Sequence, residues 1–141
     1  MKFWKMNGAG NDFIILNNIE EALPPAAFPL LAKTLCTPHL SLGADGLMVV
    51  DRAQEADFKM HFFNCDGSVG EMCGNGARCI CRYGYETGLS GETQMVETGA
   101  GLVTGRRIDR RQYQVRLNTP TVLRLHETVT VGDVSYPCAY V

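Results

Sequence analysis

A cysteine stands among small residues in the segment NCDGSVGEMCGNGARC, residues 64–79, just before a stretch typical of a helix. Gly74, Asn75 and Gly76 follow Cys73, so no bulky side chain shields the backbone amides there. The first amides of a helix have no intrahelical acceptor, and the positive end of the helix dipole stabilises an anion such as a thiolate. Glycines in a helix cost about 1 kcal/mol each relative to alanine, but in the first turn they let amides approach a carboxylate closely. The pattern predicts that Cys73 acts as a base or nucleophile; the alternative is a buried cysteine beside a glycine-rich turn.

Three other kinds of site share parts of this pattern. A phosphatase loop needs an arginine at a fixed distance after the cysteine, and Arg78 comes one residue too early. A thiol hydrolase needs a histidine that is close in space. His39, His61 and His126 have no recognisable setting for that role, although the sequence does not exclude them. The glycines of residues 7–12 (NGAGND) mimic part of a dinucleotide-binding loop, but they lack its third glycine and precede a strand.

Length and composition indicate one globular domain. The chain has 141 residues, of which 45% are hydrophobic and 20% charged, which suits a single sizeable core. The formal net charge is −2 without a basic stripe, so nothing indicates a nucleic acid or a membrane surface as a partner. The N-terminus lacks the pattern of a signal peptide, and no apolar run reaches membrane-spanning length. We expect a soluble, cytoplasmic protein.

Six cysteines are spread along the sequence, at positions 36, 65, 73, 79, 81 and 138. Because a secretory signal is missing, we expect a reducing compartment, in which an even number of cysteines does not indicate disulfides. No Cys-x-x-Cys pair occurs and the three histidines are scattered, so we expect no structural metal site. Most of these thiols are expected to be small buried hydrophobic groups, with Cys73 as the exception.

Most of the predicted elements are strands. Apolar runs or alternation predict them at 3–6, 13–16, 46–51 and 57–64, as a hairpin within 93–107, and again at 113–120, 121–131 and 134–141. The last of these ends in apolar residues, whereas a domain usually ends in a loop. A terminal strand tied into the sheet is one explanation of that ending.

Two helices are predicted, at 26–36 and at about 73–86. In the first, one face holds Ala27, Leu30, Leu31, Thr34 and Leu35. In the second, one face holds Ala77, Ile80, Cys81 and Gly84, and Gly88 is placed to end the helix. Strands on both sides of one small-residue helix predict an α+β fold, in which a mixed, strongly curled sheet wraps around a central helix.

Three blocks of sequence, taken together, resemble a known family. They are KMNGAGNDF at 5–13, LGADGL at 42–47 and FNCDGSVGEMCGNGARC at 63–79. In this order and spacing they resemble the N-terminal half of the diaminopimelate epimerase family, and the similarity covers essentially the whole chain. The related proline racemases carry histidine where Asn75 stands, so the resemblance favours the epimerases. Racemases of other amino acids on the same scaffold remain an alternative.

The resemblance implies a cofactor-independent, metal-independent isomerase that inverts the α-carbon of an amino acid. In this family the reaction converts LL- to meso-diaminopimelate, a precursor of lysine and the cell wall. Two cysteines on opposite faces of the substrate exchange protons with the α-carbon. By matching position, Cys73 is one of these catalytic cysteines. The substrate-binding residues implied in the same way are Asn11, Asn64, Gly74 and Asn75; for Asn11 and Asn64 the alternative is turn chemistry.

This chain is shorter than the members of the family that it resembles. Family members have two similar domains, and the second cysteine lies in the C-terminal one, which a chain of residues 1–141 does not include. We therefore expect this chain to be the N-terminal epimerase domain, inactive alone. Its partner would be the C-terminal domain or a second copy of the chain in a homodimer. The alternative is a non-catalytic binding or assembly module.

Overall fold

The computed structural model describes residues 1–117, 119 and 122–140. The strands are β1 (Phe3–Gly8), β2 (Asn11–Asn17), β3 (Gly46–Asp51), β4 (Phe58–Asn64), β5 (Val69–Gly70), β6 (Thr93–Thr98), β7 (Gly101–Arg107), β8 (Tyr113–Arg116), β9 (Arg124–Val131) and β10 (Val134–Tyr140). The helices are α1 (Asn18–Glu21), α2 (Phe28–Cys36), which follows a 3₁₀ turn at Pro25–Ala27, and α3 (Gly74–Glu86). Each predicted strand and helix is present, which confirms the order of elements.

Eight of the strands form one mixed sheet. Its order is β1-β2-β3-β4-β6-β7-β8, with β5 beside β4. The pairs β2–β3 and β4–β6 are parallel, and a parallel pair requires a crossover connection. The segment with α1 and α2 supplies the first crossover, and α3 supplies the second. Since α3 contacts both edge strands, β1 and β8, the sheet curls around this helix, as the sequence predicts.

The sheet is covered on both faces where it meets the helices. Phe13 and Ile15 of β2 belong to the core cluster around α3, whereas Ile14 and Leu16 belong to a second cluster with α2. Strand β3 divides its side chains in the same way. Strands that are buried on both faces read as continuous apolar runs, which is the pattern of both segments in the sequence.

The apolar face predicted for α2 is only partly the face that is buried. Leu31 and Leu35 are half-buried against the cluster under α2, but Leu30 is 69% exposed and Thr34 is also exposed. The fully buried residues are Phe28, Ala32 and Cys36. Their spacing of four residues places them on a neighbouring face of the same helix. Phe28 determines this choice because its ring packs on that of Phe63, with centroids 5.9 Å apart, in the cluster under α2.

The last two strands lie outside the main sheet. β9 and β10 pair only with each other in the described part of the chain, so β10 is not tied into the main sheet. Apart from Glu127 and Cys138, the residues of this hairpin are exposed. The sequence predictions for this region also include Asn118, Pro120, Thr121 and Val141, which lie outside the described residues. Among the described helices, none has the length and apolar character needed to cross a membrane.

Candidate active site

Cys73 occupies the N-cap position of α3. Its backbone is extended, with φ −133° and ψ 116°, and its carbonyl accepts the first helical hydrogen bond from the N–H of Ala77 at 2.7 Å. The side chain makes no capping hydrogen bond, and the thiol is half-buried against the core cluster around α3. The predicted start of the helix is confirmed, and the thiol at that start is not used as a cap.

The first turn of α3 carries three backbone amides without a partner. In the part of the chain that the structure describes, Gly74, Asn75 and Gly76 donate no backbone hydrogen bond, as expected before the first helical bond. Small residues bring this turn close to the sheet. A Cβ on Gly76 would collide with Cε of Met48, and a Cβ on Gly8 would lie 2.7 Å from the carbonyl oxygen of Asn75. Amides at the start of a helix are a common binding site for anions, and these three follow Cys73 directly in the sequence.

Two of the predicted binding residues are in direct contact. Nδ2 of Asn75 donates to Oδ1 of Asn11 at 2.7 Å, and Nδ2 of Asn11 donates to Oδ2 of Asp45 at 3.1 Å. The guanidinium of Arg78 donates to Oδ1 of Asn75. These four side chains, called the amide network below, join the start of β2, the residue before β3 and the first turn of α3.

Asn64 is not part of the amide network. Its Nδ2 donates to Oγ of Ser68 at 2.9 Å, and its backbone N–H donates to the carbonyl of Ser68 at 2.9 Å. In this structure the side chain therefore stabilises the turn after β4, which is the alternative that the sequence left open. The next residue, Cys65, donates its N–H to the carbonyl of Asp45 at 3.1 Å, so this turn and the network lie at the same end of the sheet.

The remaining cysteines divide into buried and accessible groups. Burial raises the pKa of Cys36 and Cys79 to about 11, and that of Cys81 to about 12. The expectation that most of the thiols are buried is confirmed by these three, while Cys65 is exposed and Cys138 is half-buried. Cys79 and Cys81 are thus neutral at physiological pH and lie deeper in the helix that carries Cys73.

A cavity of about 850 Å³ lies away from Cys73. It is found between β1 and the segment that leads into β8, beside the polar side of α3. Arg78 and Arg82 line it, and its only thiol is the buried Cys79. We place the site at Cys73 because the accessible thiol, the unpaired amides and the amide network meet there, whereas this cavity lacks a comparable reactive group.

Sequence reasoning missed two members of the amide network, Arg78 and Asp45. Arg78 follows Asn75 by three residues, a spacing at which helical side chains meet, so this contact could have been predicted. Asp45 approaches Asn11 only because β3 pairs in parallel with β2, with Gly46 opposite Phe13. The residues around Asn11 and Asp45 do not indicate which strands pair, so this contact could not be predicted from local sequence.

The fold places the chain in a recognisable structural class. It matches the structure of a hydroxyproline epimerase from Agrobacterium vitis with a TM-score of 0.70, at 15% identity over 98% of this chain and 48% of that one. A probable proline racemase from Agrobacterium radiobacter matches with a TM-score of 0.70 at 14% identity, with the same coverage. The protein therefore has the curled-sheet fold of these racemase and epimerase structures.

Sequence comparison identifies the family within this class. The family model described as diaminopimelate epimerase matches residues 3–122, and the chain belongs to that family. The diaminopimelate epimerase of Moorella thermoacetica is 49% identical over 109 residues, which are 77% of this chain and 39% of the relative. That of Aquifex aeolicus is 38% identical over 130 residues, which are 86% of this chain and 47% of the relative. The chain thus spans less than half the length of these curated relatives.

Proposed function

We propose that this chain is the N-terminal half of an amino-acid epimerase that converts LL- to meso-diaminopimelate, with Cys73 as one of its two acid/base groups. The observation that carries the proposal is the half-buried thiol of Cys73 at the start of α3, beside three backbone amides that have no acceptor among the described residues. Membership of the diaminopimelate epimerase family supports the choice of substrate.

The proposed reaction is a proton exchange at the α-carbon. The Cys73 thiolate takes the α-proton, and the electron pair of the broken C–H bond stays on the α-carbon and its carboxylate. A second thiol delivers a proton to the opposite face, or the two cysteines exchange these roles in the reverse direction. Because the α-proton next to a carboxylate is very weakly acidic, the developing charge needs fixed donors. Gly74, Asn75 and Gly76 offer their backbone N–H groups for that purpose.

The second thiol must come from outside α3. Cys79 and Cys81 are buried, their pKa values are raised to about 11 and 12, and they lie on the same helix as Cys73. We propose that it belongs to a second domain, since the curated relatives are more than twice as long as the part matched here. On this proposal the chain alone does not turn over, and a homodimer of it would lack the opposing geometry.

A binding or assembly role is the second candidate. The first proposal also has an alternative substrate, namely another amino acid, since proteins of this fold include a hydroxyproline epimerase. The same experiment tests this alternative.

The experiment measures deuterium uptake at the α-carbon of diaminopimelate in D₂O, using a two-domain enzyme that carries this chain. Cys73→Ala should lower the exchange rate at least about 100-fold, as expected for loss of an acid/base group. Cys65→Ala is the matched control, because Cys65 lies in an exposed turn, and it should leave the rate unchanged. Exchange that survives in Cys73→Ala would refute the acid/base role. Exchange into proline or hydroxyproline but not diaminopimelate would refute the substrate, and no exchange into any of them would favour the binding role.

A further inference from the structure

Charges stand at the two ends of the amide network. The guanidinium of Arg78 can only donate hydrogen bonds, and the carboxylate of Asp45 can only accept them. Because Arg78 donates to Oδ1 of Asn75, the Nδ2 of Asn75 is left to face Asn11. Asn11 accepts that bond with Oδ1, so its own Nδ2 faces Asp45. All the hydrogen bonds of the network therefore run in one direction, from the cation to the anion.

This direction fixes the orientation of both amides. The two ends of an asparagine amide are nearly identical in shape, so only hydrogen-bond partners decide which end points where. Turning Asn75 over would set its NH₂ group against the guanidinium of Arg78. Turning Asn11 over would set its carbonyl oxygen against the carboxylate of Asp45. Both reversals replace an attractive contact with a repulsive one.

The charged ends are themselves anchored to the framework. Oδ2 of Asp45 also accepts the backbone N–H of Asp12 at 2.9 Å, and the N–H of Asp45 donates to the carbonyl of Asp12 at 2.9 Å. Arg78 lies in α3, one turn after Asn75. The network consequently holds the start of β2 at a fixed distance from the helix turn that carries Cys73.

We propose that Arg78 and Asp45 are positioning residues, which hold the amides of Asn75 and Asn11 so that each presents an N–H group to the ligand. Each carbonyl oxygen accepts one bond within the network and keeps its second lone pair, and each Nδ2 has used one of its two N–H groups. The free N–H groups suit an acceptor such as a carboxylate oxygen, and the positive charge of Arg78 beside Oδ1 of Asn75 disfavours an ammonium group there. The preference for a carboxylate rests on the proposed function, because it concerns the substrate of that site. The orientation of the two amides does not depend on the proposed function.

The orientation is tested by NMR on the ¹⁵N-labelled chain, from the solvent exchange of the side-chain amide protons of Asn11 and Asn75. We expect one proton of each amide to be protected, and expect Arg78→Met and Asp45→Asn to reduce that protection at least about tenfold, since each removes a charge-assisted bond. Arg82→Met is the matched control, because Arg82 lies one turn further along α3 and bonds Glu86 at 2.7 Å instead.

A conservative variant separates positioning from folding. Arg78→Lys keeps a cationic donor and should retain most of the protection at Asn75, while circular dichroism verifies that each variant is folded. Amide protons that exchange equally fast in the wild type and in all variants would overturn the proposal. Equal loss of protection in Arg82→Met would also overturn it, because the effect would then belong to the helix as a whole.

A kinetic measurement tests the selection of the ligand group in the two-domain enzyme. Arg78→Met should raise KM for diaminopimelate about tenfold and change kcat by less than about threefold, as expected when an interaction made equally in ground and transition states is lost. Arg82→Met should change neither parameter. An unchanged KM in Arg78→Met would refute the role in binding. If the wild-type enzyme does not act on diaminopimelate, the proposed function fails, and the proton-exchange result still decides the orientation.

Discussion

Gly8→Ala should displace the first turn of α3 and lower the free energy of unfolding by about 1–3 kcal/mol, the usual cost of overpacking. The added Cβ would lie 2.7 Å from the carbonyl oxygen of Asn75 and 2.8 Å from Sγ of Cys79, whereas ordinary contact begins at 3.4 Å. Gly8 has no left-handed backbone, so alanine adds no conformational strain of its own. Since the Asn75 atom belongs to the helix backbone, a side-chain rotation cannot relieve the clash.

The measurement is urea unfolding followed by the fluorescence of Trp4, whose ring lies 5.5 Å from that of Tyr83 on α3. Gly91→Ala is the control, because a Cβ there would meet no atom within 4 Å, and it should change the unfolding free energy by less than about 0.5 kcal/mol. The displaced turn should also change the alkylation rate of Cys73. If Gly8→Ala is as stable as the control, the close packing of α3 on β1 is not what positions the site.

Two further predictions concern titratable groups. Limiting iodoacetamide at neutral pH should label Cys73 faster than the exposed Cys65, and should spare Cys79 and Cys81, because burial raises their pKa values to about 11 and 12. Peptide mapping that finds Cys65 labelled first would contradict the reactive role of Cys73. Burial lowers the pKa of His61, so the unfolded chain binds more protons, and the free energy of unfolding should decrease as the pH drops below about 6.5. His61→Gln should flatten this part of the pH profile, and equal slopes in both proteins would count against the assignment.

The sequence predicts the elements of this fold better than their packing. Alternation and turn residues identify the strands because each depends on neighbouring residues alone. The buried face of α2 is harder to predict, since Leu30 and Phe28 are both apolar and the difference lies in contacts with the sheet, such as the packing of the Phe28 ring on that of Phe63. The separation of β10 from the main sheet could not be predicted for the same reason, because strand pairing joins residues that are distant in sequence.

In the candidate site too, groups that are neighbours in sequence could be predicted better than contacts between distant residues. Cys73 and the glycines after it lie at one glycine-rich helix start, which indicates them from the residues alone, whereas the binding role of Asn75 is implied only by the family resemblance. The bond between Asn75 and Asn11 joins residues 64 positions apart, and it depends on how α3 crosses the sheet. From the residues alone Asn64 is assigned to turn chemistry, since its binding role is implied only by the resemblance, and its bond to Ser68 agrees with the turn.

The hairpin β9–β10 is expected to open independently of the main sheet. Its paired residues alternate, so that Val129, Val131, Val134 and Tyr136 share one face while Thr130 and Ser135 share the other. A ribbon of two strands with an uncovered apolar face is marginally stable by itself, and within the described residues it shares no strand ladder with the main sheet. Its amides can therefore exchange with solvent by local opening while the main sheet stays folded. A single free energy of unfolding measured on this chain belongs to the sheet around α3 and does not describe the hairpin.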